Sequence, residues 1–435
     1  MPKNDGADDR GFYMHIHTLK MIDVIGIFQR GLNHIDRRLI DHGIRVAYIA
    51  YHMLKAAKIY DDNAIHEIAF VVLMHDIGAY KTEEIDRMLE FESVNMWGHS
   101  VYGYLFVKKL TPFSKWSPAV LFHHTAFKDL ADIDTPYKDI AQIIHVADRV
   151  DMYMQANNIA AIDNVFSKGE NTRFSKEVLD LFYYVKDNDD ILDKLLDGRY
   201  KHELYNYLGD SGFSNETIYA FLKMTMYVID FRSVFTVTHT ITTVGISDRI
   251  GKLMGISELD AYELHTGALL HDLGKISIPL EILEKNGKLT PQEMDVMRTH
   301  VDITEDIIGH YIDDAILQNA IRHHEKMDGS GYPRGLTGKD LTLTQRIVAV
   351  ADIISALNGQ RSYKEAYPKE KIINILSNMS DNGKLCREVT ATVVNNFDDI
   401  MHNVQKQYEP IINLYENIQS EYVTLKERCS KITDS

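Results

Sequence analysis

The sequence predicts an all-α protein built from two tandem helical domains. Apolar residues recur at helical spacing with little period-two alternation, as in Leu39, Ile40, Ile44, Val46, Ala47 and Ile49. Only 9 prolines occur in 435 residues, so few positions interrupt a helix. A pattern of histidine and aspartate residues occurs once in each half of the chain, which indicates an internal repeat.

The repeat and the turn signals between its copies suggest three segments. We expect residues 1–165 to form an N-terminal domain, 166–215 a helical linker region, and 216–435 a second domain with C-terminal helices. The middle segment is charged and aromatic and contains turn signals such as Lys168-Gly169. A helix from about Asn215 to Phe235 would lead into the second domain, and a long helix from Tyr408 to Arg428 would lie near the end.

Composition excludes several classes of protein. The formal net charge of −16 argues against binding to DNA or RNA, which requires a basic face, although a local site can still hold a small anionic nucleotide. Cys386 and Cys429 are expected to be free thiols in a reducing cytosol. No signal peptide and no apolar run of about 20 residues is visible. We therefore expect a soluble cytoplasmic protein without a membrane partner.

The second copy of the pattern supplies seven candidate metal ligands: His239, His271, Asp272, His300, His323, His324 and Asp352. Imidazole nitrogens combined with carboxylate oxygens suit iron, manganese, zinc or nickel better than calcium or magnesium. Five histidines and two aspartates are more ligands than one ion ordinarily takes. The sequence therefore predicts a binuclear site.

The first copy has the same seven positions: His42, His75, Asp76, His99, His123, His124 and Asp148. The spacing agrees, because 33 residues separate His42 from His75 and 32 separate His239 from His271. Two departures distinguish the halves. Ala79 occupies the position of Lys275, and no Gly-Tyr-Pro segment follows the paired histidines. We expect a possible second metal site in this half and assign it no catalysis.

The ordered series ending in Gly331-Tyr332-Pro333 and Asp352 resembles the HD-GYP subgroup of the HD-superfamily metal phosphohydrolases. This resemblance implies that residues 216–435 are a catalytic HD-GYP domain and that the first half is a degenerate HD domain. It implies hydrolysis of a cyclic dinucleotide to a linear one, with cyclic di-GMP as the default substrate. The tandem arrangement also resembles phosphodiesterases that prefer cyclic GMP–AMP. Two divalent transition metals, iron or manganese, are the implied cofactors.

The resemblance also suggests individual roles. Asp272 would bridge two metals, one held by His239, His271 and Asp352 and the other by His300, His323 and His324. Lys275, one turn beyond Asp272, is implied to be catalytic together with that aspartate. Tyr332, Arg361 and Lys364 are candidate substrate-binding residues, since Arg and Lys both bind phosphate. Phe235 stands where some relatives have a glutamate for a third metal, which favours two.

Two alternatives remain open at this point. The protein could be a cyclic-dinucleotide receptor without catalysis, or an HD phosphohydrolase of another nucleotide. Lys275 favours the enzyme, the intact Gly331-Tyr332-Pro333 argues against another nucleotide, and Ala79 favours a regulatory first half. The sequence leaves undecided the second base, the metal, further cleavage to mononucleotides and the input signal. A homodimer or a signalling-protein partner is the expected assembly.

Overall fold

The computed structural model of the chain describes residues 19–34, 40–79, 97–209, 212–230, 236, 238–359 and 367–433. These residues form α-helices and short 3-10 helices. Within these ranges there are two isolated β-bridges and no β-strand. The prediction of an all-α fold is confirmed. None of the helices in these ranges is long and apolar enough to span a membrane. Contacts divide the chain into two units.

The N-terminal unit comprises the described residues within Asp36–Ala220 and Asn417–Ser435. Its helices are α2 (His42–Ala57), α3 (Asp62–Leu73), α4 (Trp97–Leu110), α5 (Ser117–Leu121), α6 (Phe127–Leu130), α7 (Lys138–Gln155), α8 (Ile162–Gly169), α9 (Lys176–Asn188), α10 (Ile191–Asp197) and α11 (Arg199–Gly209). Short 3-10 helices precede α5 and α8 at Ser114–Trp116 and Ile159–Ala161.

The C-terminal unit comprises the described residues within Met1–Ile35 and Phe221–Glu416. Its helices are α1 (Met21–Asn33), α13 (His239–Met254), α14 (Glu258–Leu270), α15 (Leu280–Leu283), α16 (Pro291–Ile308), α17 (Asp314–Ile321), α18 (Leu343–Asn358) and α19 (Lys369–Asp381), with a 3-10 helix at Leu273–Ser277. Helices α12 (Asn215–Asp230) and α20 (Arg387–Thr433) cross the boundaries between the units.

Helix α1 belongs to the C-terminal unit, whereas we expected residues 1–165 to form one domain. The Arg30 guanidinium donates to the main-chain oxygen of Asp306 at 2.7 Å, and His34 pairs with the Asp306 carboxylate at 2.8 Å. A Cβ on Gly26 would lie 2.3 Å from the Tyr311 ring, so only glycine lets the helix approach so closely. The residues that these two hydrogen bonds join are 276 and 272 positions apart in sequence, so no local pattern predicts the contacts.

Residues 166–215, expected to be a linker region, contribute to the core of the N-terminal unit. Phe166, Phe174 and Phe182 are all 0% exposed. Phe166 contacts both other rings, at centroid distances of 5.0 and 5.6 Å. Burying three aromatic side chains strongly favours folding, so the segment is part of a hydrophobic core and not a free connection. The remaining domain limits stay a prediction.

Local sequence signals explain where the helices around the C-terminal site begin and end. The Ser257 side chain accepts from the Asp260 amide at the start of α14. Thr290 and Thr342 form reciprocal capping boxes with Glu293 and Gln345 at the starts of α16 and α18. Each cap pairs amides that would otherwise lack a partner at the start of a helix. It therefore stabilises a helix that carries or precedes a candidate ligand.

Candidate metal centre

The fold brings all seven C-terminal candidate ligands together. His239 begins α13, His271 and Asp272 follow α14 directly, His300 lies in α16, His323 and His324 follow α17, and Asp352 lies in α18. Nitrogen or oxygen atoms of His239, His271 and Asp272 lie within 4.8 Å of one another, as do those of His300, His323 and His324. The predicted ligands therefore occupy one centre, contributed by five helices.

A close backbone approach positions the His-Asp turn. A Cβ on Gly274 would lie 2.0 Å from the main-chain oxygen of His300, so a side chain there would push α16 away. The Gly274 amide donates to the Thr304 hydroxyl at 2.9 Å, and this hydroxyl contacts the His271 oxygen at 3.3 Å. These contacts fix the turn carrying His271 and Asp272 against the helix carrying His300.

Main-chain hydrogen bonds orient three of the imidazoles. The Nδ1 atoms of His271, His300 and His323 lie 2.7, 2.6 and 2.6 Å from the oxygens of Ala268, Met297 and Ala320. A carbonyl oxygen can only accept, so each Nδ1 carries the proton and each Nε2 presents its lone pair to the centre. Such an outer hydrogen bond is the usual device that fixes the tautomer of a metal-ligating histidine.

Two pairs of these nitrogens face each other. Nε2 of His300 lies 3.4 Å from Nε2 of His323, and Nε2 of His271 lies 3.3 Å from Nε2 of His239. Burial lowers the pKa of His300 to about 4 and lowers the pKa of His323 well below its usual value, so both rings are neutral near pH 7. Two lone pairs then point at one another across 3.4 Å, an arrangement that a cation between them stabilises.

The two aspartates supply the negative charge of the centre, and both contact His239 Nε2. Asp272 places Oδ2 3.2 Å from both His239 and His271 and Oδ1 3.6 Å from His300, so its oxygens face both histidine groups. Asp352 lies 3.1 Å from His239 and 3.6 Å from His324. Burial raises the pKa of each carboxyl, but nearby histidines, together with Lys275 in the case of Asp272, outweigh it and hold both pKa values well below the usual range.

One buried oxygen tests whether metals suit this centre. Asp272 Oδ1 is buried and has no hydrogen-bond partner among the described residues. An unpaired buried carboxylate oxygen is costly, and a divalent cation is the partner that a ring of imidazole nitrogens would share with it. The donor set of five imidazoles and two carboxylates therefore fits divalent transition metals.

Lys275 and Tyr332 lie at the rim of the centre. The Lys275 ammonium donates to Asp272 Oδ2 at 2.5 Å. The Tyr332 ring lies 4.6 Å from the His324 ring, and the Arg298 guanidinium lies 5.2 Å from the same tyrosine. Arg361, Lys364 and Phe235 lie outside the described residues.

Glu325 has a role that the sequence analysis missed. Its carboxylate is 1% exposed and accepts the amides of Arg334 at 2.7 Å and Leu336 at 2.9 Å. A Cβ on Gly331 would lie 2.5 Å from Glu325 Cα, so the Gly-Tyr-Pro segment packs directly on the backbone after His324. Glu325 thus holds the loop that carries Tyr332. The position of Glu325 next to two histidines was the signal available in the sequence. Its partners, the amides of Arg334 and Leu336, lie 9 and 11 residues further along the chain.

The N-terminal unit contains a second centre of similar geometry. Asp76, His99, His123 and His124 form one group of atoms within 4.8 Å, and His42, His75 and Asp148 form another. The Nδ1 atoms of His75 and His123 again face main-chain oxygens, at 2.8 and 2.6 Å. Their Nε2 atoms and Asp76 Oδ1 are buried without a hydrogen-bond partner in the described chain. These seven side chains also fit metal ligation.

Buried cations distinguish the N-terminal centre. The Arg149 guanidinium, 2% exposed, donates to Asp148 Oδ2 at 2.7 Å, whereas the corresponding residue after Asp352 is Ile353. Asp151 accepts from Arg45 and contacts His42 Nδ1 at 2.7 Å. At the matching position of the C-terminal centre, the Ser355 hydroxyl contacts His239 Nδ1 at 3.0 Å. In the N-terminal centre positive charge therefore lies beside Asp148, whereas in the C-terminal centre Lys275 lies beside Asp272.

Family models agree with this duplication. One model, described as an HD domain, matches residues 39–153, and a second HD-domain model matches residues 223–389. The chain carries two HD domains. The C-terminal HD domain contains the centre built around Asp272, and the N-terminal HD domain contains the one built around Asp76. The predicted tandem HD architecture is confirmed.

Known proteins match this chain over most or part of its length. The 3'3'-cGAMP-specific phosphodiesterase 1 of Vibrio cholerae is 27% identical over 400 residues, covering 87% of this chain and 91% of the relative. A cyclic di-GMP phosphodiesterase of Thermotoga maritima is 38% identical over 39% of this chain and 46% of its own length. The crystal structure of V-cGAP3, a cyclic GMP-AMP phosphodiesterase of V. cholerae, covers 87% of this chain and 98% of its own with a TM-score of 0.56. At 17% identity, that structure supports the fold alone.

Proposed function

We propose that the C-terminal HD domain is a binuclear metal phosphodiesterase that hydrolyses a cyclic dinucleotide to a linear dinucleotide. The observation that carries the proposal is the facing pair of neutral His300 and His323 nitrogens, 3.4 Å apart beside the unpaired Asp272 oxygen. The relatives that match this domain are named as phosphodiesterases of cyclic di-GMP or 3'3'-cGAMP, which supports the substrate class.

The proposed metals, iron or manganese, would be held in two groups. His239, His271 and Asp352 would hold one, His300, His323 and His324 the other, and Asp272 would bridge them. Two bound cations supply Lewis-acid activation of the attacking water and of the phosphodiester. The chain itself supplies orientation, because the Nδ1 hydrogen bonds fix the rings before any ligand arrives.

The other residues would act on the substrate. Lys275 contacts Asp272 at 2.5 Å, which supports a role for its ammonium in binding a phosphoryl oxygen or the leaving oxygen. Tyr332 is partly buried and close to His324, which supports stacking of its ring on a nucleobase. Arg361 and Lys364 stay predicted phosphate-binding residues. The preference between cyclic di-GMP and cyclic GMP–AMP stays open, as does cleavage to mononucleotides.

The N-terminal HD domain would hold metal without catalysis. Its seven side chains repeat the ligand pattern, but Ala79 replaces the catalytic lysine and no Gly-Tyr-Pro loop is present. This combination favours a regulatory or scaffolding role for this half. Metal analysis tests it: if this domain binds metal, a His75→Ala/His99→Ala double variant should hold fewer ions per chain than wild type. Unchanged metal content in that variant would contradict metal binding here.

The first experiment is anaerobic turnover with Mn(II) or Fe(II). Cyclic di-GMP and 3'3'-cGAMP are offered separately, and the products are separated by chromatography. Asp272→Ala removes the bridging carboxylate, whereas Asp302→Ala, at an exposed position of α16, is the matched control. We expect linear product from wild type and Asp302→Ala and none from Asp272→Ala.

A different result would favour the receptor. If the metal-loaded protein binds a cyclic dinucleotide and forms no product, the enzyme proposal fails and the non-catalytic receptor becomes the better account. Turnover of a dNTP or (p)ppGpp but of neither cyclic dinucleotide would instead favour an HD phosphohydrolase of another nucleotide. The cytoplasmic location and the homodimer or signalling partner stay predictions.

A further inference from the structure

We propose that Lys326 is a substrate-binding residue whose ammonium binds the second phosphate of the cyclic dinucleotide, the one that is not cleaved. This inference rests on the proposed phosphodiesterase function and adds a residue to it. Three observations support it: the comparison of the two HD domains, the position of Lys326 in the C-terminal site, and the lack of a partner for its side chain among the described residues.

The internal repeat separates metal ligation from substrate chemistry. All seven ligand positions occur in both HD domains, and the two sets of imidazoles have similar geometry: the ring centroids of His123 and His124 lie 4.0 Å apart, as do those of His323 and His324. Two lysines are not duplicated. Ala79 stands at the position of Lys275, and Ala126, two residues after His124, stands at the position of Lys326.

This pattern indicates what the lysines do. If Lys326 served the metal ligands or the helical fold, the N-terminal HD domain would need a similar cation at the same place, because its ligands are arranged in the same way. Ala126 provides none, and the buried Arg149 of that domain is already paired with Asp148 at 2.7 Å, whereas no described carboxylate pairs with Lys326. Lys326, Lys275 and the Gly-Tyr-Pro loop are therefore found together in the C-terminal HD domain, and the N-terminal HD domain has none of them.

Lys326 lies where the loop meets the metal centre. It follows His324 and Glu325, and a Cβ on Gly331 would come within 2.5 Å of the Lys326 amide nitrogen. The Tyr332 amide donates to the His324 oxygen at 3.3 Å, which brings the loop across this segment. Burial lowers the pKa of the Lys326 ammonium, and the carboxylates of Asp352, a candidate ligand, and Asp328, at the start of the loop, partly offset that shift.

The Lys326 side chain is partly buried, yet no other described residue forms a hydrogen bond or ion pair with it. A lysine that serves only the fold ordinarily reaches water or pairs with a carboxylate, because withdrawing an ammonium from water without a partner is costly. Lys275, by contrast, contacts Asp272 at 2.5 Å. A free, partly desolvated ammonium is suited to an anionic ligand that arrives from outside.

The charges of the substrate class complete the argument. A cyclic dinucleotide has two phosphodiesters, and each carries one negative charge. The metal centre and Lys275, grouped around Asp272, would bind the phosphate that is cleaved. Lys326, on the side of Asp352 and the loop, would bind the other. A charge-assisted hydrogen bond of this kind strengthens binding by about 10- to 100-fold.

The test compares Lys326→Met, Lys326→Arg and wild type on two substrates. The first is the cyclic dinucleotide that wild type hydrolyses, and the second is bis(p-nitrophenyl) phosphate, which has a single phosphodiester. Lys339→Met, at an exposed position in the same half, is the control. Metal content and thermal unfolding of each variant are measured beside the kinetics.

We expect Lys326→Met to lower kcat/KM for the cyclic dinucleotide by about 10- to 100-fold, mainly through KM, and to change kcat/KM for the single phosphodiester by less than about threefold. Lys326→Arg should recover much of the loss, and metal content should not change. Equal losses on both substrates, loss of metal, or kinetics like those of Lys339→Met would overturn the assignment. Absence of any cyclic-dinucleotide turnover by wild type would instead refute the proposed function itself.

Discussion

Replacing Glu325 with glutamine tests how the substrate loop is held. The carboxylate uses one oxygen for the Arg334 amide at 2.7 Å and the other for the Leu336 amide at 2.9 Å. Glutamine has the same shape but offers only one acceptor, and its NH₂ group would face the second amide. One bond to an ionised acceptor is lost and a buried amide loses its partner.

The magnitude follows from these two bonds. A hydrogen bond to a charged group contributes about 1.5–3 kcal/mol, and Glu325 is 1% exposed, so water cannot readily replace it. If this free energy holds the loop in its binding conformation, its loss weakens substrate binding by about 10- to 150-fold. We therefore expect a rise in KM of that order, with a smaller change in kcat.

Glu305→Gln is the matched control, because Glu305 contacts the same Arg334 at 2.6 Å but lies at the surface. Exposed ion pairs contribute only about 0–1 kcal/mol, so its KM should change by less than about fivefold. Initial rates with metal-saturated enzyme measure both variants. If Glu325→Gln has the KM of Glu305→Gln, the carboxylate does not hold the binding loop and the reasoning is wrong.

Three further predictions concern the metal centre. Lys275→Ala should lower kcat by at least about 100-fold while cyclic-dinucleotide binding, measured by calorimetry, persists; unchanged turnover would remove its assigned role. Burial lowers the pKa of His239, but hydrogen bonds with Asp272 and Asp352 outweigh it and raise that pKa to about 9 in the metal-free protein. Metal must displace this proton, so Mn(II) affinity should rise by up to about tenfold per pH unit towards pH 9, with proton release seen by calorimetry in buffers of different ionisation enthalpy. A flat affinity profile would contradict this. Gly274→Ala would place a Cβ 2.0 Å from a main-chain oxygen of α16 and should abolish turnover and metal retention, whereas Gly78→Ala, with the same 2.0 Å approach in the other domain, should destabilise that domain by about 1–3 kcal/mol in thermal unfolding.

The predicted ligands could be found from sequence because the signal lies in residue type and local order. His271-Asp272 and His323-His324 are rare pairs directly after apolar helices, and the same order recurs around Asp76. The sequence also shows a glycine at the same position of both copies, Gly78 and Gly274, but it does not show why glycine is needed there. Each glycine fits against the backbone of another helix, a contact that no local pattern expresses.

Other features required the assembled chain. The place of α1 depends on Arg30 and Asp306, which are 276 residues apart. The positive charge beside Asp148 comes from its neighbour Arg149. The sequence does not predict that the Arg149 side chain turns towards this carboxylate, because packing in the interior sets its direction. Glu325 could be read as part of a motif, but its partners at Arg334 and Leu336 depend on how the loop folds back.

The sequence by itself determined the helical fold class, the tandem HD domains and the two sets of seven candidate ligands. The fold class and the ligands follow from periodicity, residue chemistry and spacing, whereas the HD assignment follows from the resemblance of the ordered motifs to a known family. Only the tertiary structure decided which imidazole nitrogens face one another, where the buried cations lie and which lysine has no partner among the described residues. Those features are set by distances between atoms that are remote in sequence, and packing of the helices alone brings such atoms together.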